Sequence, residues 1–129
     1  MSNFKGPEVV VNLSSKELYI KLSDLNNLKN IIPPEIEKFE ANSDNCWIKI
    51  NGIPELQLFL SEKKPFSKIQ LSAQESPIKF SLSCFITDCG KTSQARIEID
   101  TELNIMMKMM FEKRITDFLN ILSEKLTSL

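Results

Sequence analysis

Two periodicities divide the chain. From Ile36 to Leu103 apolar and polar residues alternate with a period of two, and from Asn104 onward apolar residues recur at helical spacing. Ahead of both, Glu8 to Leu13 reads as a strand with Val9, Val11 and Leu13 on one face. A helix start follows at once. Ser14 and Glu17 have the spacing of a capping box, in which each side chain accepts from a backbone N–H of the other's segment, and Leu13 and Leu18 have hydrophobic-staple spacing. Leu18, Leu22 and Leu25 continue the stripe at i, i+4 and i+7. A second short helix is predicted from about Asp24 to Ile32, stopped by Pro33 and Pro34, which cannot donate to a continuing helix.

The alternating region predicts six strands: Ile36 to Ala41, Cys46 to Asn51, Glu55 to Glu62, Phe66 to Ala73, Ile78 to Thr87 and Gln94 to Leu103. Short Asn-, Asp-, Gly- and Pro-bearing turns join them, which implies an antiparallel meander. Ile78, Phe80, Leu82, Cys84 and Ile86, then Ala95, Ile97, Ile99 and Leu103, form an apolar face. Lys79, Ser81, Ser83 and Thr87, then Arg96, Glu98, Asp100 and Glu102, form a wet one. Trp47, Phe59 and Phe85 fall on the wet side and are expected to lie partly covered by neighbouring side chains rather than to form a partner site.

Asn104 is a good N-cap for a closing helix from Ile105 to about Thr127. At ~100° per residue, Met107, Phe111, Ile115, Phe118, Leu119, Leu122 and Leu126 fall within an arc of roughly 120°, a stripe that must lie on the apolar face of the sheet. The first two turns break this pattern. Met106, Met109 and Met110 lie outside the stripe, while Lys108 lies inside it. Two readings of Lys108 stand side by side: a lysine snorkelling from the helix end, or a cation at a cavity mouth that meets an acidic ligand group. The methionine cluster suits a surface that adapts to varied apolar shapes, and equally suits irregular core filling.

Composition narrows the function classes. A chain of 129 residues is expected to form one domain, 1–129. The net charge of −1 offers no general attraction to nucleic acid, and the adjacent pair Lys63 and Lys64 reads as a solvated strand end. The chain has no histidine, so the commonest general base and metal ligand are both missing. This counts against an enzyme without excluding one, and no metal or cofactor is predicted. Cys46, Cys84 and Cys89 are an odd number without metal-ligand spacing and read as reduced thiols. No stretch approaches the ~20 apolar residues that span a bilayer, so a soluble cytoplasmic protein without stable membrane insertion is expected.

Two stretches carry a resemblance: Leu22-Ser23-Asp24-Leu25-Asn26-Asn27-Leu28 leading into Ile32-Pro33, and Leu103-Asn104-Ile105-Met106-Met107-Lys108-Met109-Met110. Together with the order strand, two short helices, six strands and long helix, they resemble the SRPBCC superfamily. That superfamily includes START lipid-transfer domains, the major birch-pollen allergen and the polyketide cyclases. The two stretches are similar to a small bacterial subgroup, which often has proline where Ile105 stands here. The resemblance implies an α+β helix-grip fold: a curved antiparallel seven-stranded sheet wrapped around a long C-terminal helix, with two short helices after strand 1. It also implies a cavity between sheet and helix, often used for apolar ligands. It carries over no activity. Gly6, Gly52 and Gly90 make no glycine-rich phosphate loop of the kind plant relatives have, and no active-site pattern of a cyclase, hydroxylase or ribonuclease-like relative can be placed.

The expected function is non-enzymatic binding or carriage of a small hydrophobic ligand. The expected lining is Ile48, Ile50, Leu58, Leu71, Phe80, Leu82, Ile97, Ile99, Met107, Lys108, Phe111 and Ile115. One alternative is a protein-interaction module or homodimer using Met106, Met110 and Ile121. Another is a cyclase- or hydrolase-like enzyme on an apolar substrate, which would need a carboxylate or tyrosine in the cavity; Tyr19, the only tyrosine, is expected at a helix surface.

Overall fold

The computed structural model describes residues 2–32, 36–50, 55–74 and 79–129, apart from the side chains of Asn30 and Ile50. The predicted stop at Pro33 and Pro34, the turns around Gly52 and Pro77, and the inward placement of Ile78 lie outside the described residues.

Eight strands form one antiparallel sheet: β1 (Ser2–Lys5), β2 (Val9–Val11), β3 (Ile36–Ala41), β4 (Asn45–Ile50), β5 (Leu56–Lys64), β6 (Lys68–Ala73), β7 (Phe80–Cys89) and β8 (Thr92–Thr101). The order is β1-β8-β7-β6-β5-β4-β3, with β2 also on β8. Seven positions across the sheet are therefore filled, the first by an edge strand in two pieces. Between β2 and β3 lie helix α1 (Ser15–Leu22) and a 3₁₀ helix (Leu25–Asn30), and helix α2 (Ile105–Leu126) closes the chain. This is the helix-grip arrangement.

The capping box at α1 is present with both of its hydrogen bonds, Glu17 N–H to Ser14 Oγ at 3.2 Å and Ser14 N–H to Glu17 Oε1 at 3.3 Å. The second helix is 3₁₀ rather than α. Asp24 caps it by accepting from the Asn26 N–H at 3.0 Å, a tight local bond that favours i→i+3 closure over six residues.

The edge strand departs from the sequence expectation. β1 carries one buried apolar residue, Phe4, and becomes a strand by pairing Ser2 with Thr101 through Lys5 with Glu98. Four steps from Lys5 to Val9 face three from Glu98 to Ala95, so the break at Gly6, Pro7 and Glu8 inserts one extra residue. The Gly6 N–H still donates to Ile97 O at 2.8 Å. A Cβ at Gly6 would stand 3.0 Å from Ser123 Oγ and 3.1 Å from Ile97 O, so glycine here lets α2 approach the edge.

Two further bulges set which side chains face inward. In β3 the register shifts between Ile36 and Lys38, which turns Lys38 and Glu40 outward and brings Phe39 and Ala41 onto the inner face beside Ile48 and Cys46. In β5 the shift between Leu60 and Glu62 ends the inward run Leu56, Leu58 and Leu60 and sends Glu62 outward.

On the outer face Phe85 pairs laterally with Lys68 and Arg96, whose cations stand 5.3 and 5.2 Å from its ring centroid. Arg96 Nε donates to Glu98 Oε2 at 2.7 Å, and Lys68 Nζ reaches Glu62 Oε2 at 3.1 Å. Phe85 is thus half-covered by its neighbours, as expected, and Trp47 and Phe59 are likewise half-buried.

α2 is one-sided. Ile115, Phe118, Leu119, Leu122 and Leu126 are buried against the sheet, and its Asn104 cap accepts from the Met107 N–H at 2.8 Å. Its backbone packs on β8 and on the edge strands β1 and β2.

Candidate functional site

The inner face of the sheet, α1, the 3₁₀ helix and the last turns of α2 line a partly open apolar cavity of about 70 Å³. Leu22 ends α1 at its rim. The 3₁₀ helix and the residues after it contribute Leu25, Leu28, Ile31 and Ile32. The strands supply Ile36, Phe39, Cys46, Ile48, Leu58, Ile69, Leu71, Leu82, Cys84 and Ile97, and α2 supplies Phe118, Leu122 and Leu126. Among the described residues, every lining side chain is a hydrocarbon or a thiol.

The two thiols are inert at neutral pH. Burial pushes Cys46 up to about 11 and Cys84 up to about 12, so neither is a thiolate where most enzymes work. Cys89, at the exposed end of β7, is five residues from Cys84 along one extended strand, too far for a disulfide. All three cysteines are free. No cluster of three or more Cys, Asp or Glu that could hold a metal occurs among the described residues.

Ile48, Leu58, Leu71, Leu82 and Ile97, expected in the lining, border this cavity. Phe80, Ile99 and Ile115 are buried in the core away from its wall. The side chain of Ile50 is outside the described set. Met107 and Phe111 are half-buried and Lys108 is exposed, and none of the three borders the cavity. The reason is axial. The helical arc places Lys108 at the right azimuth, but burial of α2 begins only at Ile115, so the first turns run beyond what the sheet covers. A cavity-mouth cation at Lys108 is accordingly not found.

The wall contributed by α1 and the 3₁₀ helix was missed from sequence. Leu22, Leu25, Leu28 and Ile31 were visible as an apolar helical stripe, and the stripe's neighbour turned out to be the cavity. Phe39 could not be placed without the bulge in β3, whereas Cys84 already lay on the predicted apolar face, and Cys46 and Ile69 follow from period-two spacing with Ile48 and Leu71. Ile105, Met106, Met109 and Met110 at the start of α2 are 83%, 72%, 77% and 63% exposed, while Ile121 is half-buried. A more open depression of about 320 Å³ is edged by Asp44, Asn45, Phe59, Leu60 and Gln74. No helix among the described residues is long and apolar enough to cross a membrane.

Comparison with solved structures matches this geometry over nearly the whole chain. A START superfamily protein from Mycobacterium smegmatis is similar over 98% of this chain and 94% of its own, with a TM-score of 0.69 and 14% identity. The chain has the START-like helix-grip fold. A conserved protein from Geobacillus kaustophilus shares that fold at a TM-score of 0.71 and 14% identity, covering 98% of this chain and 93% of its own. So does norcoclaurine synthase from Thalictrum flavum, solved in complex with dopamine and hydroxybenzaldehyde, at a TM-score of 0.72 and 12% identity over 98% and 84% of the two chains. No protein-family model and no curated protein sequence matches the chain. Identities this low speak for the fold alone, and this helix-grip fold carries both enzymes and proteins described only by superfamily.

Proposed function

We propose that the protein, as one domain spanning 1–129, binds and carries a small hydrophobic ligand in the cavity beneath α2 and does no chemistry on it. The observation that carries this reading is the wall itself: hydrocarbon side chains and two thiols, with no carboxylate, tyrosine, lysine or arginine among the described lining residues. A cyclase or hydrolase needs a group to donate or accept a proton within reach of the reacting atoms. The thiols, held protonated by burial, supply neither base nor nucleophile near neutral pH. Tyr19 is instead turned to the β5–β6 turn, edge-on to Phe66 with ring centroids 5.6 Å apart. A carrier needs apolar surface in a concave site, which this cavity has. A cytoplasmic location fits this role.

Native mass spectrometry of protein purified from its own host is the test. The reading expects a bound small molecule that is lost on organic extraction; protein that is always empty would contradict it.

The exposed Met106 and Met110 favour a second reading, in which the start of α2 docks against another copy of the chain or another protein. Ile121, half-buried lower on the helix, would lie at the edge of such a contact. Sedimentation at micromolar concentration separates the readings, since a strict monomer removes the homodimer.

A further inference from the structure

An apolar cavity of about 70 Å³ is smaller than an engineered one of ~150 Å³ that admits benzene, and far below the ~300–1,000 Å³ of ordinary ligand sites. A carrier with this cavity must widen it, and the walls differ greatly in what widening would break. The strand walls belong to continuous hydrogen-bonded ladders from β3 to β8. Phe118, Leu122 and Leu126 sit on the buried half of a 22-residue helix. The remaining wall is Leu22 at the end of α1 and the 3₁₀ helix with Ile31 and Ile32 after it, and the 3₁₀ helix packs chiefly on β3 and α1.

Among the described residues, few bonds tie that segment to its surroundings. Asp24 caps it through the Asn26 N–H, Asn27 Nδ2 donates to Lys21 O at 2.9 Å, and the Leu25 N–H reaches Ser43 O at 3.2 Å. Short 3₁₀ turns have poorer hydrogen-bond geometry than α-helix, and segments with few bonds open at the low end of a protein's stability range. Leu25 and Ile31 are buried in the wall while Leu28 and Ile32 are half-buried, so an outward swing widens the cavity toward solvent directly.

The wall chemistry also selects the occupant. A hydroxyl, amide or carboxylate drawn inside would find no hydrogen-bond partner among the described side chains. Leaving a polar group unpaired in apolar surroundings is heavily disfavoured. We propose that the cavity is the contracted form of a larger hydrocarbon site, widened by displacement of the 3₁₀ helix Leu25–Asn30. It takes only the apolar portion of its ligand, and any polar group stays outside. This rests on the carrier reading for its ligand, but the opening can be measured without one.

Cys46 and Cys84 line the cavity and report on it, while exposed Cys89 is removed as Cys89→Ser to clear the background. Modification of the two thiols by a maleimide is timed under native conditions. Asp24→Ala, which strips the 3₁₀ cap without touching the cavity wall, should speed labelling by roughly two- to thirtyfold, the range expected for a lost cap. Asn27→Ala, a second variant outside the wall, should act in the same direction. Ser14→Ala serves as the control, since it loosens the far end of α1 and should speed labelling far less. Equal acceleration by Asp24→Ala and Ser14→Ala, in proportion to their loss of global stability, would overturn the opening.

Ligand class is read in the same assay with 1-dodecanol and 1,12-dodecanediol. Protection by the alcohol at concentrations at least about tenfold below the diol is the expected result, since only the diol must bury a hydroxyl. Equal protection would overturn the hydrocarbon-only class. Selective acceleration by Asp24→Ala with no protection by either alcohol would support the opening while rejecting the carrier reading beneath it.

Discussion

At the scale of single residues, burial separates side chains that the helical stripe treats as equals. Phe118 is fully packed in α2 against the cavity, whereas Phe111 on the same stripe is half-buried. Phe118→Ala should cost about 3–5 kcal/mol, and Phe111→Ala clearly less, as denaturant midpoints at constant slope would show. The stripe could not separate the two, because azimuth follows from spacing along the chain and depth follows from where the sheet ends. Lys108 shows the same limit. Its place in the arc left open a snorkelling lysine or a cation at a cavity mouth, and it is exposed and does not border the cavity. Lys108→Met should therefore change stability by no more than about 0.5 kcal/mol.

Elements were legible where their signals are local. The capping box of Ser14 and Glu17 and the Asn104 cap involve residues within three positions, and both stand as the sequence implies. Ser14→Ala should cost about 0.5–2 kcal/mol, measured by thermal or denaturant unfolding. Elements made by distant partners were not legible. Ser2 to Lys5 has one apolar residue and no strand signal of its own, yet the hydrogen-bonding edge of β8 recruits it. The bulges in β3 and β5 depend on register with neighbouring strands, and they alone decide that Phe39 faces in and Glu62 faces out. Gly6 is a prediction at this scale. Gly6→Ala should destabilise by about 1–3 kcal/mol, because Ser123 and the Ile97 carbonyl leave little room for a methyl group. A neutral outcome in unfolding experiments would mean that α2 yields at the edge strand.

For the whole molecule, the order of elements implied a sheet gripping a helix, and the sheet order has that form. The cavity's strand side was partly foreseen in Ile48, Leu58, Leu71, Leu82 and Ile97. Its 3₁₀ side was not, because a stripe of leucines shows that something apolar faces it but not that a void lies between. The buried thiols add a property of the entire fold. Their folded values, about 11 and about 12, lie above the ordinary thiol value of 9.0, so the protonated form is favoured by folding. The stability they contribute is complete below pH 9 and falls as pH rises toward 11 to 12, by up to about 1.4 kcal/mol per thiol per unit. Unfolding midpoints measured from pH 8 to 11 should decline less steeply in a Cys46→Ala, Cys84→Ala variant than in the wild type.

The central claim is that the space under α2 holds a hydrocarbon, and calorimetric titration with 1-dodecanol at several temperatures tests it most directly. The wild type should bind with a negative heat-capacity change, the mark of apolar surface leaving water. Cys84→Leu, which pushes a larger side chain into the cavity, should fold and lose that binding. Absence of binding in the wild type, or binding unchanged in Cys84→Leu, would contradict the account.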